Sequence, residues 1–350
     1  MGFNGLTSGS GSPWLSQSGL NDGNASGAAL SSAAGNEIPR SAGNHAPQAS
    51  IVIPTCNRVG ELRNLLRSAL AQTVPVEIHV MDDSAIDLSG EMIDREFPGV
   101  HYHRLANGRG PTFQRNRGIE LASCTIIFPV DDDTLFASAR TVEQTIAEFD
   151  HPRVAAVGIP YVNISQDQVV RQQAPEAGQV YVASAFVGAA HAIRRDVFLQ
   201  MNGFREHFFY MGEEGDLCLR MMNRGYVTRL GVADPIHHLE SPRRNFSRAG
   251  FMGRRNDVLF TWHNVPSADL GVHLAGTTIK GVRHAVRYGP FWAMMNGTAS
   301  GFADIFRLWS ERRPVARNIY QLHRTLKMRG PRLLEEIEPL LPCLPTQHQN

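Results

Sequence analysis

The sequence predicts an α/β protein with a mostly parallel sheet flanked by helices and a helical C-terminal extension. From residue 50 to 130, short apolar runs alternate with segments of helical spacing, as in parallel strands joined by crossover helices. Three of the four predicted strands there end in polar residues, and ligands bind outside the carboxyl ends of such strands. Beyond Pro266, apolar residues recur at helical spacing.

The composition is that of a globular protein. The 350 residues allow one large domain or two of ordinary size, and 19% are charged while 42% are hydrophobic. Four cysteines are scattered without a CxxC pair, so neither a disulfide framework nor a zinc site is indicated. No apolar run approaches the length of a membrane span, and no secretory signal opens the chain. We therefore expect a soluble, cytoplasmic protein.

Composition and charge divide the chain into segments. Residues 1–48 are rich in Gly, Ser, Ala and Asn and are predicted to be a disordered tail, because they bury too little apolar surface to offset their ordering entropy. Residues 240–330 contain 15 Lys and Arg against 5 Asp and Glu, which indicates an anionic partner. We expect an α/β domain over 49–266 in two halves (49–135 and 136–266), a basic helical extension over 267–335 and a tail over 336–350.

The first half alternates strands and helices at close spacing. Residues 50–54 form a β-branched run ended by proline, and residues 61–72 carry leucines at helical spacing. The alternation then continues with a strand, a weaker helix, a strand, a helix and a strand, at 76–81, 88–97, 101–105, 111–122 and 125–130.

Three consecutive carboxylates, Asp131, Asp132 and Asp133, follow the fourth strand. Adjacent like charges raise one another's pKa unless a cation lies among them. Mg²⁺ and Mn²⁺ take oxygen ligands, and Mg²⁺ commonly combines one or two carboxylates with substrate phosphates. The run indicates either a metal site that holds a phosphorylated ligand or an acidic loop that caps the next helix.

The loop around Arg109 is only loosely similar to a phosphate loop. It has no GxGxxG motif, and no Walker A Lys-Ser/Thr pair follows it, so hydride transfer and P-loop chemistry are weakly supported. On the next helix, Arg115 and Asn116 either face a diphosphate or lie on a solvated helix face.

Four motifs, IVIPTCNR at 51–58, MDDS at 81–84, QRNRGI at 114–119 and VDDD at 130–133, resemble those of family 2 glycosyltransferases. These enzymes are inverting, use nucleotide-sugars and have the GT-A fold. The resemblance covers roughly residues 50–266. It implies a Rossmann-like GT-A domain whose half 49–135 binds the nucleotide and whose half 136–266 binds the acceptor and carries catalysis.

The resemblance also implies roles for single residues. The nucleotide pocket would be lined by Pro54, Thr55, Asn57 and Arg58, and the base or ribose would be contacted by Asp82 or Asp83. Asp131 and Asp133 would form the DxD motif, with Asp133 the direct ligand of Mg²⁺ or Mn²⁺. The remaining expected contacts of the nucleotide-sugar are Arg109, Arg115, Asn116 and Asp132.

A buried helix with three acids in its first turn is predicted from residue 213. Acids there either complement the helix dipole or take part in chemistry. An inverting transfer needs a base that takes the proton of the acceptor hydroxyl. The segment resembles the family's acidic motif, whose second acid is the usual base, although many relatives carry Asp there. This implies Glu214 as the base, with Glu213 and Asp216 as alternatives.

Two adjacent histidines follow a strand predicted at 227–232. Each is either structural or a contact of the metal, although His is not the favoured ligand of Mg²⁺. In the family a His at this point often completes metal or diphosphate binding, so we expect His238, or else His237, at the metal. Guanidinium groups bind phosphate well, and the candidates are Arg243, Arg244, Arg254 and Arg255.

The C-terminal extension is predicted to form basic amphipathic helices at 271–288, 290–311 and 315–328. Such helices either pack on their own domain or lie on an anionic membrane. A lipid-linked acceptor would make membrane docking useful, so peripheral contact with the inner face of the membrane is a hypothesis.

Together these features predict a metal-dependent, inverting hexosyl- or deoxyhexosyltransferase that acts in polysaccharide or glycoconjugate assembly. It would use a UDP-, GDP- or dTDP-sugar and a glycan or lipid-linked acceptor, with no nucleic-acid partner. A sugar-nucleotide nucleotidyltransferase is the alternative enzyme, but the first strand is not followed by the Gly-rich, Lys-containing loop expected of that class. A catalytically inactive sugar- or nucleotide-binding module is a further alternative, against which the intact acidic motifs argue.

Overall fold

A computed structural model describes residues 46–105, 108–239 and 245–345. The predicted disordered tail up to residue 45, the end of the C-terminal tail beyond 345, and the phosphate-binding candidates Arg243 and Arg244 lie outside the described residues. The strands are β1 (Ala49–Thr55), β2 (Val76–Asp82), β3 (His101–Arg104), β4 (Ile126–Pro129), β5 (Thr134–Phe136), β6 (Val154–Gly158), β7 (Tyr161–Asn163), β8 (Val170–Arg171), β9 (Tyr181–Ala183), β10 (His191–Arg194), β11 (Val227–Leu230), β12 (Ile236–His238) and β13 (Arg332–Leu333).

The helices begin directly after β1 and alternate with the strands through the first half. They are α1 (Val59–Leu70), α2 (Leu88–Glu96), α3 (Pro111–Leu121), α4 (Thr141–Ala147), α5 (Arg195–Gln200), α6 (Glu213–Met222), α7 (Phe246–Asn264), α8 (Leu270–Tyr288), α9 (Phe291–Arg307), α10 (Arg317–Arg329) and α11 (Leu334–Ile337).

Within the described residues, the central sheet has nine strands in the order β13-β9-β11-β6-β10-β4-β1-β2-β3. The four strands of the first half are parallel to one another, and only β9 and β10 run against the others. The predicted α/β class with a mostly parallel sheet and a helical C-terminal region is therefore confirmed. Because β1, β2 and β4 end at the same edge, the polar residues that follow them are brought together.

β1 lies between β4 and β2 in the central sheet and is buried along its whole length. Successive side chains of a strand point to opposite faces. Ile51 and Ile53 therefore join the core cluster that contains the leucines of α1, whereas Val52 joins the cluster that contains Ile119 of α3. Helices cover both faces, which explains why this strand is a continuous apolar run.

A second sheet, in the order β5-β12-β7-β8, begins just after the acidic run. β12 is antiparallel to β5, and this register places His238 opposite Thr134, the residue that follows Asp133. The short sheet thus places His237 and His238 close to the acidic residues that follow β4.

The helical region begins earlier than predicted, with α7 at Phe246. This helix packs against α8 and α9. A Cβ at Gly297 of α9 would lie 2.1 Å from the carbonyl oxygen of Phe251, so glycine is required where the two helices touch. α7 packs against more than one helix, and its sequence mixes Gly, Arg and Asn with apolar residues. It therefore lacks the regular apolar spacing that predicts a helix.

The prediction of a tail over 336–350 is wrong for residues 336–345, which the structure describes. β13 pairs with β9 at the end of the central sheet, and α11 follows it directly. Ile337 and Leu341 are buried in the same core cluster as α10, and Arg153 pairs with Glu338 at 2.8 Å. Apolar contacts across the sheet edge hold this segment, although its proline-rich sequence is typical of a tail.

Candidate active site

The ends of β1 and β2 are joined by one side chain of α3. Gln114 Nε2 donates to the carbonyl oxygen of Thr55 at 2.9 Å and to that of Met81 at 2.7 Å. The next loop is also held, because the Asn57 amide donates to Ser84 Oγ at 2.7 Å. Gln114 was not predicted as a site residue, although it lies in one of the motifs. Its role depends on the positions of two backbone carbonyl groups, and these positions cannot be predicted from the sequence.

Of the two acids that follow β2, Asp82 is fully buried and Asp83 is partly exposed. Asp82 accepts from the Ser84 amide at 2.7 Å and from the Tyr102 hydroxyl at 3.2 Å, so it stabilises the turn. Asp83 Oδ2 accepts from the Gly110 amide at 3.3 Å and lies nearer to solvent. Asn57 is exposed with a φ of 59°, and Pro54 is buried within β1.

Arg58 neutralises two of the three consecutive aspartates. Its NH1 group lies 2.9 Å from Asp132 Oδ1 and 2.8 Å from Asp133 Oδ2. Asp132 also accepts from Thr55 Oγ1 at 2.8 Å and is buried. Burial raises the pKa of Asp132 to about 7, despite the charge of Arg58, because the neighbouring aspartates add to the effect. Asp132 is therefore a structural member of the run, whereas Asp131 and Asp133 have oxygens available for a ligand.

His238 is the histidine that faces the acids. Its Nε2 lies 3.3 Å from Asp133 Oδ1, which is buried. Burial opposes ionisation of Asp133, but His238 and Arg58 hold its pKa below the ordinary value. Adjacent residues of a strand point to opposite faces, so His237 is directed away from Asp133.

Arg115 joins the end of β4 to the start of α6. Its guanidinium is buried, pairs with Asp131, and lies 3.1 Å from Glu213 Oε1. The three residues come from α3, the loop after β4, and α6, so a single cation holds the two predicted acidic motifs side by side. Arg115 therefore lies within the site, not on a solvated helix face.

Glu213 and Glu214 differ in their exposure. Glu213 is buried, and burial together with the charge of Glu214 raises its pKa to about 8. Glu214 is partly exposed, and desolvation followed by the charge of Asp131 raises its pKa as well. A Cβ on Gly188 would lie 2.4 Å from Glu214 Oε1, so the absence of a side chain at 188 makes room for this carboxylate.

The turn from Gly188 to His191 lies in segment 186–194, which resembles the family's acceptor-side segment, but no single residue of it was predicted as a site residue. His191 is fully buried, stacks on Phe186 with 3.9 Å between ring centroids, and has its Nδ1 3.0 Å from the Gly188 carbonyl oxygen. Burial and the nearby Arg115 lower the pKa of His191 to about 3, so it is neutral. It supports the turn that carries Gly188.

Several predicted site residues have their polar atoms engaged elsewhere. Asp216 is fully buried between Arg205 and Arg220, at 2.6 and 2.8 Å, and also accepts from Asn264, so it anchors α6. Asn116 donates to the Phe204 carbonyl oxygen and accepts from the Phe204 amide. Three arginines have acidic partners that lie outside the run at 131–133. Arg109 pairs with Glu206, Arg254 with Asp257, and Arg255 with Asp304.

Comparison with known proteins covers the residues up to 211, which include Arg58, Arg115 and the three aspartates but not Glu213, Glu214 or His238. Residues 50–211 match the model of a family described as Glycosyl transferase family 2, which confirms the predicted resemblance. No curated protein matches the sequence significantly.

Solved structures show the same fold at low identity. The mannosyltransferase PcManGT from Pyrobaculum calidifontis, in complex with GDP-Man and Mn²⁺, is 16% identical with a TM-score of 0.51, over 82% of this chain and 85% of that chain. S. aureus TarS 1-349 in complex with UDP is 15% identical with a TM-score of 0.54, over 81% and 88%. GalNAc-T7 with UDP, GalNAc and Mn²⁺ is 14% identical with a TM-score of 0.55, over 82% and 57%. The expected GT-A architecture is thereby confirmed.

Proposed function

We propose that this chain, whose residues 50–211 form a family 2 glycosyltransferase domain, moves a sugar from a nucleotide-sugar donor to a hydroxyl acceptor with inversion of configuration. The observation that carries the proposal is the position of Arg115, which pairs with both Asp131 and Glu213. It brings the predicted donor-binding acids next to the predicted base. A transfer reaction requires these two groups in one site, because the bond to the acceptor forms as the bond to the diphosphate breaks.

A divalent cation fits the donor side of this site. Asp131 is partly exposed, Asp133 is buried, and His238 Nε2 lies 3.3 Å from Asp133 Oδ1. Oxygen-rich sets of this kind suit Mg²⁺ or Mn²⁺. These three residues would hold the ion, whose chemistry there is to neutralise charge on the diphosphate leaving group.

Glu214 is the favoured base because it combines exposure with a raised pKa. Its carboxylate takes the proton of the acceptor hydroxyl while that oxygen attacks the anomeric carbon from the face opposite the diphosphate. Glu213 is held by Arg115 and is buried, so its role is to position the guanidinium. Arg58 and Thr55 hold Asp132, which fixes the loop in which Asp131 and Asp133 lie.

The donor is proposed to be a UDP-, GDP- or dTDP-sugar carrying a hexosyl or deoxyhexosyl group. The similar structures of PcManGT and TarS are complexes with GDP-Man, UDP or UDP-GlcNAc, which supports this class of donor. The acceptor is proposed to be a glycan or a lipid-linked glycan, in polysaccharide or glycoconjugate assembly.

The outer face of α8 supports a membrane-associated acceptor. Val272, Ile279 and Val286 are 79%, 60% and 71% exposed and recur every seven residues, so they form one stripe. The exposed basic residues near it are Lys280, Arg283 and Arg287. None of the described helices has the length and apolar content needed to cross a membrane. We therefore propose a cytoplasmic protein that contacts the inner membrane surface peripherally.

Flotation with anionic vesicles tests this surface. Ile279→Glu with Val286→Glu should reduce co-flotation by at least tenfold, whereas Val170→Glu, at an exposed valine of β8, should leave it unchanged. Wild-type protein that stays at the bottom of the gradient would overturn the membrane proposal without affecting the proposed reaction.

A thermal-shift screen with UDP-, GDP- and dTDP-sugars tests the proposed function. A donor that binds only the folded protein raises its stability by about 2.7 kcal/mol at a hundredfold excess over its dissociation constant. We expect a shift with one nucleotide that depends on Mn²⁺ and is lost in Asp133→Ala, followed by transfer of the sugar to an acceptor. Pyrophosphate release from a nucleoside triphosphate and a sugar phosphate would instead indicate a nucleotidyltransferase, and binding without turnover would indicate an inactive module.

A further inference from the structure

A cluster of one carboxylate and three imidazoles lies apart from the acidic site. Glu77 and His79 belong to β2, and His101 and His103 belong to β3, the edge strand of the central sheet. The register pairs His79 with His101, so their side chains lie on one face. His79 precedes the end of β2 at Asp82 by three residues, which corresponds to about 10 Å along the strand.

Three of these residues bring potential ligand atoms close together. Glu77 Oε1 lies 3.2 Å from His79 Nε2, and one ligand atom from each of Glu77, His79 and His101 lies within 4.8 Å of the other two. Ligands at about 2.0–2.1 Å in a tetrahedron are separated by about 3.3 Å, so the first distance matches the edge of a zinc site.

Hydrogen bonding already arranges the cluster for a ligand. Glu77 Oε2 accepts from the Ser50 hydroxyl and from the Ser123 amide, which leaves Oε1 directed at His79. His79 Nδ1 lies 3.1 Å from His103 Nε2, whereas His79 Nε2 is buried and faces Glu77 Oε1. When Nδ1 donates to His103, the lone pair of Nε2 faces a carboxylate oxygen, and a cation between them removes that repulsion.

We propose that Glu77, His79 and His101 bind a Zn²⁺ ion and that His103 orients His79. Two imidazoles and one carboxylate are a ligand set that favours zinc over Mg²⁺ or Mn²⁺. A metal-bound histidine usually has its other ring nitrogen hydrogen-bonded, as that of His79 is to His103. His101 is exposed, so solvent reaches the fourth position. The ion joins the edge strand β3 to β2, and Glu77 connects it to β1 and to the end of α3.

The sequence did not indicate this site because its ligands do not form a local zinc motif. Glu77 and His79 alternate along one strand, and His101 follows 22 residues later in β3. Only the strand register brings them together.

Titration of the metal-free, untagged full-length protein with Co²⁺ and then Zn²⁺ tests the site. The titration uses the Asp133→Ala background, so that the acidic site does not contribute. We expect binding of one equivalent with the intense visible absorption of tetrahedral Co²⁺, displaced by Zn²⁺. His101→Gln should weaken Zn²⁺ binding at least tenfold, and the exposed position of this residue keeps the fold intact.

His284→Gln on α8 is the matched control and should bind Zn²⁺ like its parent. The melting temperature gives a second measurement, since Zn²⁺ should raise it in the parent and not in His101→Gln. Equal Zn²⁺ affinity in parent and His101→Gln, or a weak octahedral Co²⁺ spectrum, would overturn the proposal and leave Glu77–His79 as a simple polar pair.

Discussion

Arg115 NH1 lies 3.1 Å from Glu213 Oε1, and both side chains are almost completely buried although 98 residues separate them. A second nitrogen of the same guanidinium pairs with Asp131. Burial of one charged group is costly unless a partner compensates it, so each of these residues depends on the other. The contact ties the acid-bearing end of β4 to the first turn of α6.

At pH 9, above the pKa of about 8 of Glu213, Arg115→Met should destabilise the protein by about 3–5 kcal/mol, because it leaves a buried carboxylate without its partner. The double variant Arg115→Met/Glu213→Gln should recover part of the loss. Arg117→Met is the matched control on the same helix, since Arg117 pairs with Glu120 at the surface and such pairs contribute about 0–1 kcal/mol. Urea unfolding measures all three, and equal losses for the two arginines would contradict a compensated buried pair.

Glu214→Gln should lower kcat by about 10²–10⁴-fold, because a general base contributes that much to proton transfer. Donor binding should be unchanged, since the carboxylate acts on the acceptor. Glu213→Gln should lower kcat less, through displacement of Arg115. The two variants are compared by initial rates at saturating donor. A larger kcat loss in Glu213→Gln than in Glu214→Gln would assign the base to Glu213.

Gly188→Ala should displace the carboxylate of Glu214 while leaving its chemistry unchanged. Its Cβ would lie 2.4 Å from Glu214 Oε1, so the carboxylate must move. We expect kcat to fall at least tenfold with little change in donor affinity. Gly60→Ala in α1 is the control, because a Cβ there meets nothing within 4 Å. Retention of full kcat in Gly188→Ala would show that the observed place of Glu214 is not required.

As pH rises, the unfolding free energy of the wild-type protein should fall relative to that of Glu213→Gln. Burial and Glu214 raise the pKa of Glu213 from 4.5 to about 8. A carboxyl group whose pKa is higher in the folded state stabilises that state fully below the unfolded pKa and loses this contribution as pH rises through the folded pKa. The difference in unfolding free energy should therefore change between about pH 4.5 and 8. Urea midpoints across this range check it, and parallel pH profiles would refute it.

His238→Gln should raise the Mn²⁺ concentration needed for half-maximal transfer by about 10–100-fold, the usual effect of losing a group that supports a metal site. His237→Gln should leave this concentration unchanged, since that side chain points to the other face of β12. Metal titrations of the initial rate measure both variants. A larger effect at His237 would reverse the assignment.

Local pattern was sufficient for the elements that carry the donor site. The apolar run of β4 ends directly before the three aspartates, because burial between two helical layers requires a continuous apolar strand and the ligand edge requires polar residues just after it. The family motifs then assigned roles to these acids. By contrast, α7 was not predicted, because its contacts with α8 and α9 depend on glycines of another helix.

What the sequence by itself determined was the order of strands and helices in the first half and the acids placed at the strand ends, since both depend on residues close together in the chain. The tertiary structure alone decided which of those acids are buried and that Arg115 contacts Glu213. It also decided that His238, and not His237, faces Asp133, and that Glu77 lies close to two histidines. These relationships arise from strand register and from packing between distant segments, and both are properties of the whole fold.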